Sequence, residues 1–140
     1  MILVDTSGII ALHEESNRYR ERALSLLAIP QARVVSPFVL AELNYLITKY
    51  AGSQAALTFL GDVERGVYTL EQFTRDDIAR ARSIIERYAD LQLGLADASI
   101  VVLAERHDCQ DVLSMDQRHF RAITTAAGKP FRLLLLDPPQ

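Results

Sequence analysis

Four carboxylates stand either inside apolar runs or at the mouth of a strand, where a soluble domain ordinarily keeps few charges. Asp5 closes the run Ile2-Leu3-Val4, and Asp116 follows Val112-Leu113-Ser114-Met115. Glu42 lies between Val39-Leu40-Ala41 and Leu43, and Asp97 interrupts Leu95-Ala96 and the apolar stretch from Ala98 to Ala104. One such acid is ordinary, as a helix cap or the partner of an arginine. Four drawn into one low-dielectric site would repel one another, and each would hold a proton unless positive charge stood between them. A divalent cation supplies that charge. Oxygen donors without neighbouring cysteine, and with histidine at most peripheral, select Mg²⁺ or Mn²⁺ over zinc. Thr6, Ser7 and Ser114 place hydroxyls beside these acids. Such hydroxyls can fix a carboxylate rotamer, although Ser7 is expected to cap the helix that starts there.

The elements that must bring these acids together follow from pattern. Short β-rich runs occur at 2–4, 33–35, 67–73, 111–113 and 131–136, separated mostly by segments of helical periodicity. Ile2–Val4, Val112–Leu113 and Leu133–Leu136 are apolar without alternation, as in strands covered on both faces within a parallel sheet. Asp5 and Asp116 then fall at carboxyl ends of strands, where open α/β sheets bind ligands. Ser36-Pro37 starts a helix over 37–50 that Gly52 ends. Thr74 with Asp77 forms a capping box for another. The run from Leu95 to about Arg106 is apolar on every side and predicts a helix buried in the body of the domain. The expectation is an α/β fold: one domain, about five mostly parallel strands, and flanking helices.

The 140 residues, 49% of them hydrophobic, suffice for one domain with a sizeable core. The start, Met1-Ile2-Leu3-Val4-Asp5, carries no basic leader and soon meets an acid, so no secretory signal or membrane span is expected and a cytoplasmic protein is. Cys109 is the sole cysteine, which excludes an internal disulfide and a cysteine zinc cluster. A net charge of −3 gives no overall attraction to nucleic acid, so such binding must be local and partly carried by bound cations. The arginines Arg18, Arg20 and Arg22, and Arg80, Arg82 and Arg87, read as solvating helix faces.

Val4-Asp5-Thr6-Ser7, Ser36-Pro37 leading to Ala41-Glu42-Leu43, Leu93-Gly94-Leu95-Ala96-Asp97-Ala98, and Leu113-Ser114-Met115-Asp116 before Arg118-His119-Phe120 occur in that order. With these segments the chain resembles PIN-domain ribonucleases, and more narrowly the VapC toxins of bacterial toxin–antitoxin pairs. The resemblance implies a PIN-like nuclease domain over residues 1–137, with 138–140 a tail. It makes Asp5, Glu42, Asp97 and Asp116 a catalytic and metal-binding pocket for Mg²⁺ or Mn²⁺, with Thr6 and Ser114 as supporting hydroxyls. It also implies RNA as substrate, a VapB-like antitoxin as partner and a homodimer. Two features depart from many relatives: serine replaces threonine at Ser114, and Arg118-His119 stands where some place a further acid.

The chemistry expected is phosphodiester hydrolysis assisted by one or two divalent ions. Asp5 and Asp97 are expected as central ligands, Asp116 as a ligand or water-holding group, and Glu42 as a ligand or general base. Arg118, His119 and Arg121 are candidates for contacting substrate phosphate. A receiver-like phosphoacceptor module is the rival from another class, but it needs paired acids after the first strand and a lysine after the last. Thr6 and Ser7 occupy the former place, and Asp137 follows Leu133–Leu136 at the latter. A haloacid-dehalogenase phosphatase would want an acid at Ser7. A non-catalytic PIN-like binding module is the remaining alternative, and retention of all four acids argues against it.

Overall fold

A computed structural model describes residues 1–140. The elements in order are β1 (Ile2–Val4), α1 (Thr6–His13), α2 (Arg20–Ala28), β2 (Arg33–Val35), α3 (Pro37–Ala51), α4 (Ser53–Glu64), β3 (Thr69–Leu70), α5 (Arg75–Arg87), a 3₁₀ turn (Ala89–Leu91), α6 (Leu95–His107), β4 (Asp111–Leu113), α7 (Gln117–Phe120) and β5 (Arg132–Leu133). The strands form one sheet in the order β3-β2-β1-β4-β5, parallel throughout. Successive strand residues point to opposite faces, and Ile2, Leu3 and Val4 are all essentially inaccessible, so both faces of β1 are covered. The chain builds outward on one side of β1 through β2 and β3, then crosses to the other side for β4 and β5. Neighbouring strands β1 and β4 therefore send their following segments to opposite sides, which opens a crevice at their carboxyl ends.

The expected architecture is present, with two strands shorter than anticipated. The expected strand 67–73 narrows to Thr69–Leu70, an exposed edge on which Glu71 N–H still donates to the Val35 carbonyl. Short edge strands protect a sheet against further pairing. The expected strand 131–136 narrows to Arg132–Leu133, because the N–H groups of Leu136 and Asp137 both turn back to the Leu133 carbonyl and the Asp137 carboxylate accepts from Leu133 N–H. Helix boundaries lie close to expectation: Gly52 ends α3 at φ 92°, and Thr74 and Asp77 form the reciprocal cap of α5. Every residue from Ala98 to Ala104 in α6 is buried, since this helix packs on β1, α3 and α5.

One buried contact ties the helices that carry Glu42 and Asp97. The Ser99 hydroxyl donates to the Ala96 carbonyl at 2.6 Å, so the 2.6 Å contact with Ser36 requires Ser36 to be the donor. Ser36 in turn accepts from Val39 N–H at 3.1 Å and caps α3. Ser36→Ala removes both bonds and leaves buried polar groups unpaired, so it is expected to destabilise the fold by about 1–3 kcal/mol, read as a lower midpoint in urea denaturation. The arginine clusters divide: Arg18, Arg82 and Arg87 are exposed as expected, whereas Arg20 donates to the Leu12 carbonyl, Arg22 to those of Leu134 and Asp137, and Arg80 forms a two-bond pair with Glu105. Cys109 is half-buried rather than fully enclosed.

Candidate functional site

The carboxyl ends of β1 and β4 lie side by side, because Val4 pairs with Leu113 in the sheet and Asp5 N–H reaches the Leu113 carbonyl. Asp5 thus emerges next to Ser114, and α1 begins at once on its far side. Two serines hold its carboxylate. Ser114 and Ser7 both donate to Oδ2, at 2.6 and 2.8 Å. Each serine also accepts a backbone N–H from the turn after β4: Asp116 N–H to Ser114, and Met115 N–H to Ser7, both at 2.9 Å. The turn that delivers Asp116 is thereby buckled to Asp5 through two hydroxyls, while no side-chain bond uses Asp5 Oδ1. Ser7 is therefore not the cap expected from sequence. It is the second residue of α1, and its hydroxyl is spent on Asp5 and the β4 turn.

The other acids arrive from helices. Asp97 occupies the first turn of α6, and its Oδ2 accepts from Gly94 N–H at 3.1 Å. Asp116 caps α7, with Oδ1 accepting from His119 N–H at 3.1 Å. Glu42 comes from the second turn of α3. Asp5, Glu42, Asp97 and Asp116 line one cleft of about 310 Å³, together with Thr6, Ser7 and Glu14. A larger depression, about 650 Å³, lies at the amino ends of β4 and β5 beside the Asp111–Arg132 ion pair and the last residues, away from the acids.

Burial differs among the four. Asp5 is 5% exposed, whereas Asp97 and Asp116 are partly accessible and Glu42 is exposed. The expectation that each acid sits among buried residues fails for Glu42: Leu43, one position on and about 100° round the helix, takes the inward face and leaves Glu42 on the lip. Burial raises the Asp5 carboxyl to about 6, against the lowering effect of Ser114 and Ser7, and Asp97 adds to the rise. Asp97 is raised as well, first by burial, then by Asp116 and Glu42, with Gly94 N–H and His119 opposing. Both shifts mark carboxylates short of positive charge.

This donor set fits a hard divalent cation. The acids offer oxygen only, two of them hold protons more tightly than free carboxylates, and the Thr6 hydroxyl, in a residue 6% exposed that lines the same cleft, has no hydrogen-bond partner. Thr6 is thus beside the acids, but its hydroxyl holds none of them. Glu14, at the end of α1, was not singled out from sequence; nothing in its surroundings of Glu and Asn distinguishes it from a solvent-facing acid. Arg118 is exposed on α7. Arg121 lies outside the cleft lining, paired through both terminal nitrogens with Asp137, so it is not free to hold phosphate as expected. His119 does reach the acids: Nδ1 lies 2.8 Å from Asp116 Oδ2 and 3.6 Å from Asp97 Oδ2.

No helix is long and apolar enough to cross a membrane. Among curated proteins the chain is 32% identical over 134 residues to ribonuclease VapC26 of Mycobacterium tuberculosis, a match covering 95% of this chain and 99% of that one. Among solved structures it superposes on M. tuberculosis VapC20, a toxin that cleaves the sarcin-ricin loop, with a TM-score of 0.79 and 24% identity over 93% of this chain and 100% of that chain. A toxin–antitoxin complex from Klebsiella pneumoniae gives 0.65 and 23% over 88% and 92% of the respective chains. These two structures share the fold. The PIN domain family matches residues 2–125. On the long family match and the near full-length relative, the chain belongs to the PIN-domain family and, within it, to the VapC group.

Proposed function

We propose that this protein is a divalent-metal-dependent endoribonuclease and the toxin member of a toxin–antitoxin pair. The observation that carries the chemistry is the gathering of four carboxylates from β1, α3, α6 and the β4–α7 turn around one cleft. RNA as substrate rests on the likeness to a relative named as a ribonuclease and to a toxin that cleaves an RNA loop.

Asp5 and Asp97 are assigned as the central ligands of Mg²⁺ or Mn²⁺, with Asp116 completing the set. An ion held there would supply positive charge to activate the attacking water and to offset charge building on the phosphate. Ser7 and Ser114 keep Asp5 in one rotamer, so its free oxygen is placed before the ion arrives. Glu42, on the accessible lip, is assigned to take the proton of the attacking water. Arg118, exposed beside Asp116, is assigned to a flanking phosphate.

The exposed Tyr45, Tyr50 and Leu57 on α3 and α4 support a covered surface in the working assembly, a homodimer that also binds a small antitoxin. A cytoplasmic location, alongside its RNA, completes the reading. Chelation of divalent ions is expected to stop cleavage of added RNA, and Mg²⁺ or Mn²⁺ to restore it. Asp97→Asn is expected to remain folded by circular dichroism and to leave cleavage near background. In a bacterial host, induction of the wild type should slow growth and create new RNA 5′ ends that Asp97→Asn does not create. Equal cleavage by both proteins, with contaminating nuclease excluded, would contradict the assignment.

A further inference from the structure

His119 is placed as a nitrogen donor would be. Its ring is mostly buried, 18% exposed, and both nitrogens are engaged. Nε2 faces the Leu91 carbonyl at 3.1 Å, an acceptor only, so Nε2 carries a proton and donates it. That carbonyl belongs to the 3₁₀ turn just before Gln92, whose left-handed backbone redirects the chain toward α6 and Asp97. Nδ1 points the other way, into the acids, at 2.8 Å from Asp116 Oδ2 and 3.6 Å from Asp97 Oδ2. A backbone carbonyl holding one ring nitrogen while the other faces the site is the arrangement that orients histidines bound to metals. Donor atoms of Asp97, Asp116 and His119 all lie within 4.8 Å of one another. Adjacent ligands on an octahedral ion with bonds near 2.1 Å stand about 3 Å apart, which the two Nδ1 distances bracket.

On the reading that this cleft holds a divalent ion, we propose that His119 Nδ1 is a direct ligand of it, alongside Asp97 and Asp116. Nδ1 would bind such an ion through its ring lone pair, any proton there being released to solvent, with Asp97 and Asp116 supplying oxygen beside it. The consequence is selectivity. Imidazole nitrogen favours transition ions, whereas carboxylate and water suit Mg²⁺ equally well. Where an acid at this position would give an all-oxygen set, His119 tilts the site toward Mn²⁺. The unpartnered Thr6 hydroxyl in the same cleft is a separate polar atom left for the ion or its water.

The test is pulsed electron paramagnetic resonance on the full-length protein loaded with Mn²⁺ alone, together with calorimetric titration of Mn²⁺ and Mg²⁺. The wild type is expected to show ¹⁴N coupling of a directly bound imidazole. His119→Gln and His119→Asp are expected to lose it, and His119→Asp should still take up metal with its Mn²⁺-to-Mg²⁺ affinity ratio lowered. Thermal melts of both variants establish that they are folded. Mn²⁺ bound without nitrogen coupling in the wild type, or coupling that survives in folded variants, overturns the inference and leaves the nuclease reading standing. No Mn²⁺ uptake by the wild type would overturn both.

Discussion

Asp5→Asn is expected to move stability and activity in opposite directions: the metal-free protein becomes harder to unfold at pH 7, while RNA cleavage falls by at least about a thousandfold. The activity loss follows from removing a charged ligand, because metal assistance is worth several kcal/mol at the transition state and about 4 kcal/mol is three decades in rate. The stability gain follows from burial. In the folded protein the Asp5 carboxyl sits at about 6, above its ordinary 3.8, so folding disfavours its ionised form. Through this group the metal-free wild type is most stable below pH 4 and loses stability as pH rises through about 6. At 1.36 kcal/mol per unit, the loss at neutral pH is about 3 kcal/mol. An asparagine oxygen at the Oδ2 position can still accept from Ser7 and Ser114, so little is lost in exchange. Groups held low, such as Asp77, Glu105 and Asp137, act in the opposite sense below their own range. The difference between wild type and Asp5→Asn in urea melts from pH 4 to 8 isolates the one group. A flat difference would contradict the burial described for Asp5.

Gly8→Ala is expected to be the most damaging of the glycine-to-alanine substitutions in the protein. A Cβ at Gly8 would stand 2.1 Å from the Leu113 carbonyl oxygen, 2.7 Å from its carbon and 2.8 Å from Leu113 Cγ. Two of those three atoms are backbone, at the end of the strand beside β1, and cannot turn aside like a flexible side chain. Either α1 lifts away from β4 or the strand end shifts. Overpacking by a methyl costs roughly 1–3 kcal/mol where neighbours can adjust, and more where they are main chain. A loss above about 3 kcal/mol is therefore expected, a large part of a typical domain's stability. Any shift also pulls Ser7 from Met115 and Ser114 from Asp5, so surviving folded protein should bind Mn²⁺ more weakly. Wild-type stability and metal affinity in Gly8→Ala would contradict the close approach of α1 and β4.

The sheet's core strands and the buried helix were legible because their signal is local. Ile2–Val4 and Val112–Leu113 are short apolar runs, followed by Asp5 directly and by Asp116 after two intervening residues, and α6 announces itself by being apolar on all sides with Asp97 near its start. The edges of the sheet were less so: strand propensity continues through Val67–Phe73 and Phe131–Leu136, but where pairing stops is decided by Asp137 and by turns that propensity does not encode. Asp97 could be picked out from burial conflict, and Asp5 and Asp116 from their places just beyond strands. Glu42 owed its selection partly to apolar neighbours that face elsewhere, and the structure puts it on the lip.

The supporting groups depended on tertiary contacts that no spacing reveals. Ser7 looks like a helix cap in sequence, yet its partners are the Asp5 carboxylate and a backbone amide 108 positions away. Arg121 looks available until Asp137 is seen to occupy it. His119 stands out in sequence only as a candidate phosphate contact, and only the fold brings the Leu91 carbonyl and two carboxylates to its nitrogens. Gly8 carries no sequence signal beyond being a glycine inside a helix, and its necessity is visible only against Leu113.

The decisive measurement is anomalous diffraction from crystals of the wild-type protein soaked in Mn²⁺. A peak within the cleft, within bonding distance of Asp5 and Asp97 oxygens and adjoining Asp116, is the predicted result. Ordered crystals showing manganese bound only at other surfaces, with these side chains unmoved and bare, would contradict it.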